Sequence, residues 1–283
     1  MASLLSHNAK SRRYDISDRK GTTLNALELN LWILAGISFA TWLFSVITKE
    51  YSWVDRIWSI APIAYLWVFA AGANFESARV NVMAVCVTLW GARLTFNFAR
   101  KGGYAKGGED YRWPILRQRM SPLVYQLFNI FFIVIFQNAL IFGMTVPAYF
   151  ANPTAEFTAA DAIWTAVFIG FLAFETIADQ QQWNFHQAKK AGKASGFLST
   201  GLFSVSRHPN FFAEQAQWWV LYFWAATASG VLLHWSIAGA FVLTALFAGS
   251  LRFTEEISAG KYPEYKQYQK RVSALIPWIP RKG

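Results

Sequence analysis

Gly201-Leu202-Phe203-Ser204-Val205-Ser206-Arg207-His208-Pro209-Asn210-Phe211-Phe212-Ala213-Glu214 leads into an almost unbroken apolar stretch over 211–233. A cation, an imidazole, an amide and a carboxylate gather around one proline at the mouth of that stretch. Pro209 fits the first turn of a helix, where its missing N–H leaves no bond unmade. The sixth of seven apolar segments then starts near Asn210, with Arg207 and His208 at its amino end. Free N–H groups and the helix dipole make such an end attractive to anions. Asn210 and Glu214 are four apart and share one face. An interfacial helix cap with a snorkelling arginine accounts for Arg207 and Pro209 but leaves Glu214 unexplained inside an apolar helix.

The surrounding chain reads the same way. Of 283 residues, 54% are hydrophobic and 15% charged, with fourteen tryptophans. A soluble domain carries about 25% charged residues, so the deficit points to a bilayer with aromatic belts. A spanning helix needs about 20 mostly apolar residues. Seven segments qualify: 26–48, 53–73, 80–99, 123–147, 159–181, 211–233 and 235–254. The expected fold is therefore all-α: a polytopic membrane protein of about seven transmembrane helices with a cytosolic pocket. It comprises a polar tail (1–25), without a signal-peptide pattern, and a single membrane domain (26–283). Cys86 is the one cysteine, so no intrachain disulfide can form. The +10 net charge belongs to loops facing anionic lipid rather than to nucleic acid.

Basic residues set the orientation. The loops after the third and fifth segments and the tail after the seventh are rich in Lys and Arg, while 148–158 and the corner near His234 have none. The positive-inside rule places the basic loops in the cytosol. Seven spans then put the amino terminus opposite, against the pull of Lys10, Arg12, Arg13, Arg19 and Lys20. A first segment lying on the membrane is the alternative.

Ionisable groups within a bilayer are expensive and default to functional candidates. Asp55 sits among Trp53, Trp58 and Pro62; Arg93 and Asn97 share a face of the third segment; Glu175 and Asp179 share a face of the fifth. A carboxylate paired with Arg93 or Arg252 is the ordinary reading. No HExxH or paired-cysteine pattern supports a metal, and no Walker or GxGxxG pattern occurs. After Arg252, basic and aromatic residues interleave from Lys261-Tyr262-Pro263 to Ile276-Pro277-Trp278. Such a segment can cover a nucleotide or lie on anionic lipid.

The run from Gly201 to Glu214 resembles the signature of steroid 5-alpha-reductases and sterol C14-reductases, roughly G-L-[FW]-x-x-S-R-H-P-N-Y-[FL]-[GA]-E. Lys261-Tyr262-Pro263 with Leu275-Ile276-Pro277 resembles that family's closing Y-P…L-I-P. Asp55-Arg56-Ile57-Trp58-Ser59, Asp110-Tyr111-Arg112-Trp113 and Ala178-Asp179-Gln180-Gln181 look like an uncharacterised branch with a steroid-reductase-type C-terminal domain. The likeness is strongest over 160–283, the reductase-like cofactor-binding half. It implies a seven-helix reductase that takes NADPH from the cytosol and passes hydride to a carbon–carbon double bond. The implied cofactor residues are Asp179, Arg207, His208, Asn210, Glu214, Arg252 and, among the covering tyrosines, Tyr262. Steroid reductases carry a tyrosine three residues before the arginine of the third span, where it grips the substrate carbonyl. Trp90 stands there, and an indole N–H donates a hydrogen bond but is no acid. Asp55, Trp90 and Arg93 are thus the catalytic candidates, with a lipid or sterol-like substrate entering from the bilayer. The setting expected is the endoplasmic reticulum of a eukaryote or the inner membrane of a bacterium. Two other classes share features: membrane methyltransferases using S-adenosylmethionine, which have an Arg-His-Pro core, and a non-catalytic lipid-binding relative.

Overall fold

A computed structural model describes residues 25–110 and 112–281. The tail residues 1–24, with their five basic side chains, lie outside the described residues, as do Tyr111, Lys282 and Gly283. Asn25, counted in the tail from sequence, caps the first helix: its side chain accepts from Glu28 N and its own N–H donates to the Glu28 carboxylate.

The described residues form helices α1 (Ala26–Thr48), α2 (Trp53–Ile57), α3 (Ala61–Gly72), α4 (Ala78–Arg100), α5 (Arg112–Gln118), α6 (Pro122–Phe128), α7 (Gln137–Thr145), α8 (Ala159–Lys190), α9 (Pro209–Ser229), α10 (Ile237–Lys261) and α11 (Tyr265–Arg271). A π-helical stretch, Asn129–Phe136, joins α6 to α7, and 3-10 turns cover Val146–Phe150 and Gly201–Ser204. Apart from one isolated parallel bridge, Ser206 to Ser273, no strand pairing occurs among the described residues. The all-α expectation therefore holds.

Among the described residues, five helices are long and apolar enough to cross a membrane: Ala26–Thr48, Ala78–Arg100, Pro122–Phe150, Ala159–Lys190 and Ile237–Lys261. The expected second span, 53–73, is broken: α2 ends at Ile57 and α3 has twelve residues, about 18 Å of helix against a core about 30 Å thick. The sixth, α9, has 21 residues but opens with Asn210, Glu214, Gln215 and Gln217, so its polarity rather than its length sets it apart. The seventh begins at Ile237, and residues 230–236 form the connection expected to be a His234-Trp235 corner.

Side-chain contacts sort the helix ends into two groups. At one end Arg56 meets Gly103 and Ala105, Arg100 meets Gln180, Arg112 meets Ser250, and Lys189 meets Tyr262. At the other, Ala26 lies against Gly72, Arg79 reaches Asp161 and Asn152, and Phe150 packs on His234. The connections at that second end, 73–77, 151–158 and 230–236, contain no Lys or Arg. Basic loops thus share one end, as the charge pattern predicts.

Close packing brings the helices together. A Cβ on Gly239 of α10 would strike the Gly143 backbone on α7, so glycine at 239 lets these helices touch. The buried core is continuous from Tyr51 to Phe247 and includes Trp90, Trp218 and Trp224. At the lysine-poor end, Arg79 is closed on all sides. It donates twice to Asp161, at 2.6 and 2.9 Å, and to the carbonyls of Ala151, Asn152 and Glu156. Asp161 also accepts from Thr158 N, Thr158 Oγ1 and Trp224 Nε1. Both side chains are 2% exposed. Removing one partner of such a pair leaves a buried charge, a loss of about 3–5 kcal/mol. Arg79→Met should lower the detergent-solubilised melting temperature accordingly. An unchanged melt would mean that the pair holds nothing together.

Candidate functional site

A column of polar groups runs inward from the basic end along α9. Its mouth is the motif loop. Gly201 takes a left-handed φ of 62° with the Gln181 side chain against it, and Gln181 Oε1 accepts from Leu202 N. A larger residue there would meet both a strained backbone and the glutamine. His208 is the N-cap and Pro209 the first residue of α9, as the sequence implies.

Arg207 is held by the protein itself. Its Nε and Nη2 bond the two Glu255 oxygens at 2.6 and 2.9 Å, and its Nη1 bonds the carbonyls of Gln269 and Val272. His208 Nε2 lies 3.0 Å from Glu255 Oε1, and Gln269 Nε2 donates to Glu255 Oε2. The guanidinium thus ties the motif to α10 and to the C-terminal segment. Further bonds clip that segment on: Arg207 N to Ser273 O, Ser206 Oγ to Leu275 O, and Trp278 N to Val205 O. Glu255 is a candidate without a local signature in the sequence beyond its place near Arg252, because its partners lie 47 and 48 residues upstream.

One turn inward, Asn210 Nδ2 reaches Asp179 Oδ1 at 3.4 Å. Asp179 and Glu175 of α8 both pair with Arg93 of α4, the latter at 2.7 Å. Gln217 donates to the other Glu175 oxygen at 2.7 Å. Glu214 faces the same guanidinium and takes a hydrogen bond from Trp58. Three carboxylates therefore surround one arginine, and Arg100 closes the outer side through Gln180 and the Asp179 carbonyl. The expected carboxylate partner of Arg93 is found, doubled. Arg93 lies seven residues inside Arg100, about 10 Å along the helix.

Deeper still, polar groups lack partners. Trp90 Nε1, Trp218 Nε1, Gln217 Oε1 and Arg93 Nε are buried without a hydrogen bond. The rings of Trp90 and Trp218 meet edge to face, centroids 4.9 Å apart. In that arrangement at most one indole can aim its N–H at the other ring, so a donor is left over. An unsatisfied buried donor costs about 1–3 kcal/mol.

The column gathers Trp90, Arg93, Asp179, Arg207, His208, Asn210 and Glu214. Three candidates stand apart from it. Arg252 is exposed and makes no side-chain bond among the described residues. Tyr262 sits at the outer surface, its hydroxyl bonded to Lys189 Nζ at 2.5 Å; that ammonium holds the phenol below its usual range. Asp55 accepts from Trp113 Nε1 at 2.7 Å, beside Ser52, Asp110 and Arg112, and is bonded to neither Trp90 nor Arg93. Loss of water, with the Asp110 charge close by, holds the Asp55 carboxyl above its usual range.

Residues 41–272 match the protein family described as "Protein of unknown function (DUF1295)". An uncharacterized protein of Schizosaccharomyces pombe is 41% identical over 258 residues, covering 83% of this chain and 75% of that protein. No solved structure matches. The chain belongs to the DUF1295 family.

Two outcomes follow from the geometry. Arg93→Met, which strands Glu175 and Asp179, should destabilise the protein by about 3 kcal/mol, with part recovered when Glu175→Gln is added. Melting curves of the single and double variants check this. Asp55 contributes a pH dependence of known sign. With a raised folded pKa its stabilisation is complete below the unfolded value, near 3.9, and is lost as pH climbs through the folded value. Asp55→Asn should flatten that descent, read as melting temperature against pH.

Proposed function

We propose that this DUF1295 member is a membrane-embedded NAD(P)H-dependent reductase acting on a carbon–carbon double bond of a lipid or steroid-like substrate. The observation that carries this reading is the polar column: it starts at a basic end and finishes on unpartnered donors in the apolar core. The resemblance of Gly201–Glu214 to the steroid and sterol reductase signature supports it.

The residues fit a nicotinamide cofactor in kind. Asn210, Gln217 and the carboxylates of Asp179 and Glu214 offer donors and acceptors for a carboxamide and ribose hydroxyls, and Gln217 Oε1 is free. Arg100 and Lys101 supply positive charge at the mouth, since Arg207 and His208 are already engaged by Glu255. When bound, the cofactor supplies a hydride for the β carbon of the alkene. The product would need one further proton at the α carbon, which solvent water at the mouth of the column would supply, the indoles having none to give. The chain's own part is to bind, orient and exclude water. Trp90 and Trp218 would receive an oxygen conjugated to the alkene, stabilising charge that develops there without giving up a proton. The lipid would enter between helices, with the basic end in the cytosol.

A second reading has one specific observation in its favour. Three carboxylates face a single arginine, an excess that suits a cationic ligand such as the sulfonium and ammonium of S-adenosylmethionine. That reading makes the protein a membrane methyltransferase.

Thermal shift of the full chain separates the two. NADPH at millimolar concentration should raise the melting temperature where S-adenosylmethionine does not. Asn210→Ala should weaken that NADPH shift about tenfold in concentration dependence, while Trp218→Phe should leave it intact. A shift with S-adenosylmethionine alone would hand the assignment to the methyltransferase.

A further inference from the structure

The C-terminal segment carries two notches that meet at Trp278 and Ile279. One, of about 270 Å³, is lined by Val205, Pro277, Trp278 and Ile279, and is almost wholly apolar. The other, of about 400 Å³, is bordered by Lys270, Arg271 and Arg281, with Arg207 at its inner wall. Arg207 is bound to Glu255, but the side chains of Lys270, Arg271 and Arg281 make no bond with any described residue. They are exposed cations with no carboxylate partner among the described residues. Beside them Ile276, Trp278 and Ile279 are 62%, 71% and 82% exposed. Three such apolar side chains turned outward next to three unpaired cations do not suit open water. The surface they form is bipartite: charge on one side, hydrocarbon on the other, with an indole at the boundary.

We propose that these two notches together hold one anionic phospholipid of the leaflet at the basic end. The phosphate lies among Lys270, Arg271 and Arg281, and the upper part of an acyl chain lies against Val205 and Pro277–Ile279. A soluble phosphate would use only the basic notch and leave the apolar one without purpose. Indoles favour the depth where headgroups meet hydrocarbon, and each cation close to an anionic membrane adds about 1 kcal/mol of attraction. The site is separate from the polar column and does not depend on the reaction assigned to it. It is nevertheless fastened to the column's mouth, since Trp278 N bonds Val205 O and Arg207 N bonds Ser273 O. A lipid seated here braces the segment that holds Arg207 and Glu255 in place.

Native mass spectrometry of the full chain tests this after exchange into equimolar dioleoyl phosphatidylglycerol and dioleoyl phosphatidylcholine. The wild-type chain should retain the phosphatidylglycerol in preference. The pair Arg271→Gln and Arg281→Gln should lose that preference, about fivefold for each cation removed. Trp278→Ser with Ile279→Ser should weaken retention of both lipids. Lys106→Gln with Lys193→Gln removes equal charge elsewhere at the same end and should change nothing. An equal loss in that control would show a diffuse charge effect and overturn the site. So would retained preference in the Arg271 and Arg281 double variant. Displacement of the lipid by millimolar glycerol 3-phosphate would reassign the basic notch to soluble anions. Unaltered melting profiles establish that the variants are folded.

Discussion

Two arginines of α4 fix where everything else can sit. Arg79 bonds Asp161 and Arg93 bonds Glu175, and in each case the partner lies 82 residues further on. The helices α4 and α8 therefore run side by side in the same direction, in a single register, for at least fourteen residues. Arg100 to Gln180 and Lys101 to Gln182 continue it at the basic end. Apolar packing in a bilayer holds helices together weakly and tolerates sliding, because lipid is as apolar as leucine. A charge buried without its partner does not tolerate sliding. The two rungs thus set the depth of Glu175 and Asp179, and α9, the most extensive partner of α8, is set by them in turn.

The rungs differ in completeness, and the difference marks the site. At Arg79 every N–H has an acceptor, and one carboxylate faces one guanidinium. At Arg93 there are three carboxylates, an N–H without a partner, and two indoles close by with donors unused. Both lie in the same helices, so folding alone gives no reason for the second to be left unfinished. Incompletely satisfied polar groups are retained where something else completes them. This contrast is the main support for the proposed ligand at the inner end of the column.

Much of this was legible in the sequence, because the bilayer imposes length and polarity on each segment. The helical class, the basic end, Pro209 as the first residue of α9, and the shared face of Glu175 and Asp179 all follow from local patterns, whereas the choice of Arg93 over Arg252 as their partner does not. The break between α2 and α3 does not either, since 53–73 is apolar apart from Asp55, Arg56 and Ser59 near its start, and only the fold shows α3 to be short. The π-helical turn over Asn129–Phe136 is equally silent, its residues being ordinary helix formers for a membrane. Arg207 misled most. Its neighbours in sequence describe an open cation at a helix start, whereas its true environment is supplied by Glu255, Gln269 and Val272, 48 to 65 residues later. Glu255 lacks a local signature for the same reason: pairing across such distances leaves no mark in either local pattern.

That long-range clamp has a bearing on how the protein is made. Residues 201–210 are synthesised and positioned at the membrane well before Glu255, Gln269 and Ser273 exist as chain. Until those residues arrive, Arg207 and His208 have neither their carboxylate nor their carbonyl partners, and Ser206 lacks its bridge. The motif is therefore closed late in biogenesis, after α10 has been inserted. A nascent chain stopped short of α11 would carry most of its membrane helices and the inner part of the column, yet present an unsealed mouth. Assembly order thus separates insertion, which each segment achieves by its own hydropathy, from completion of the site, which waits on the last described segment.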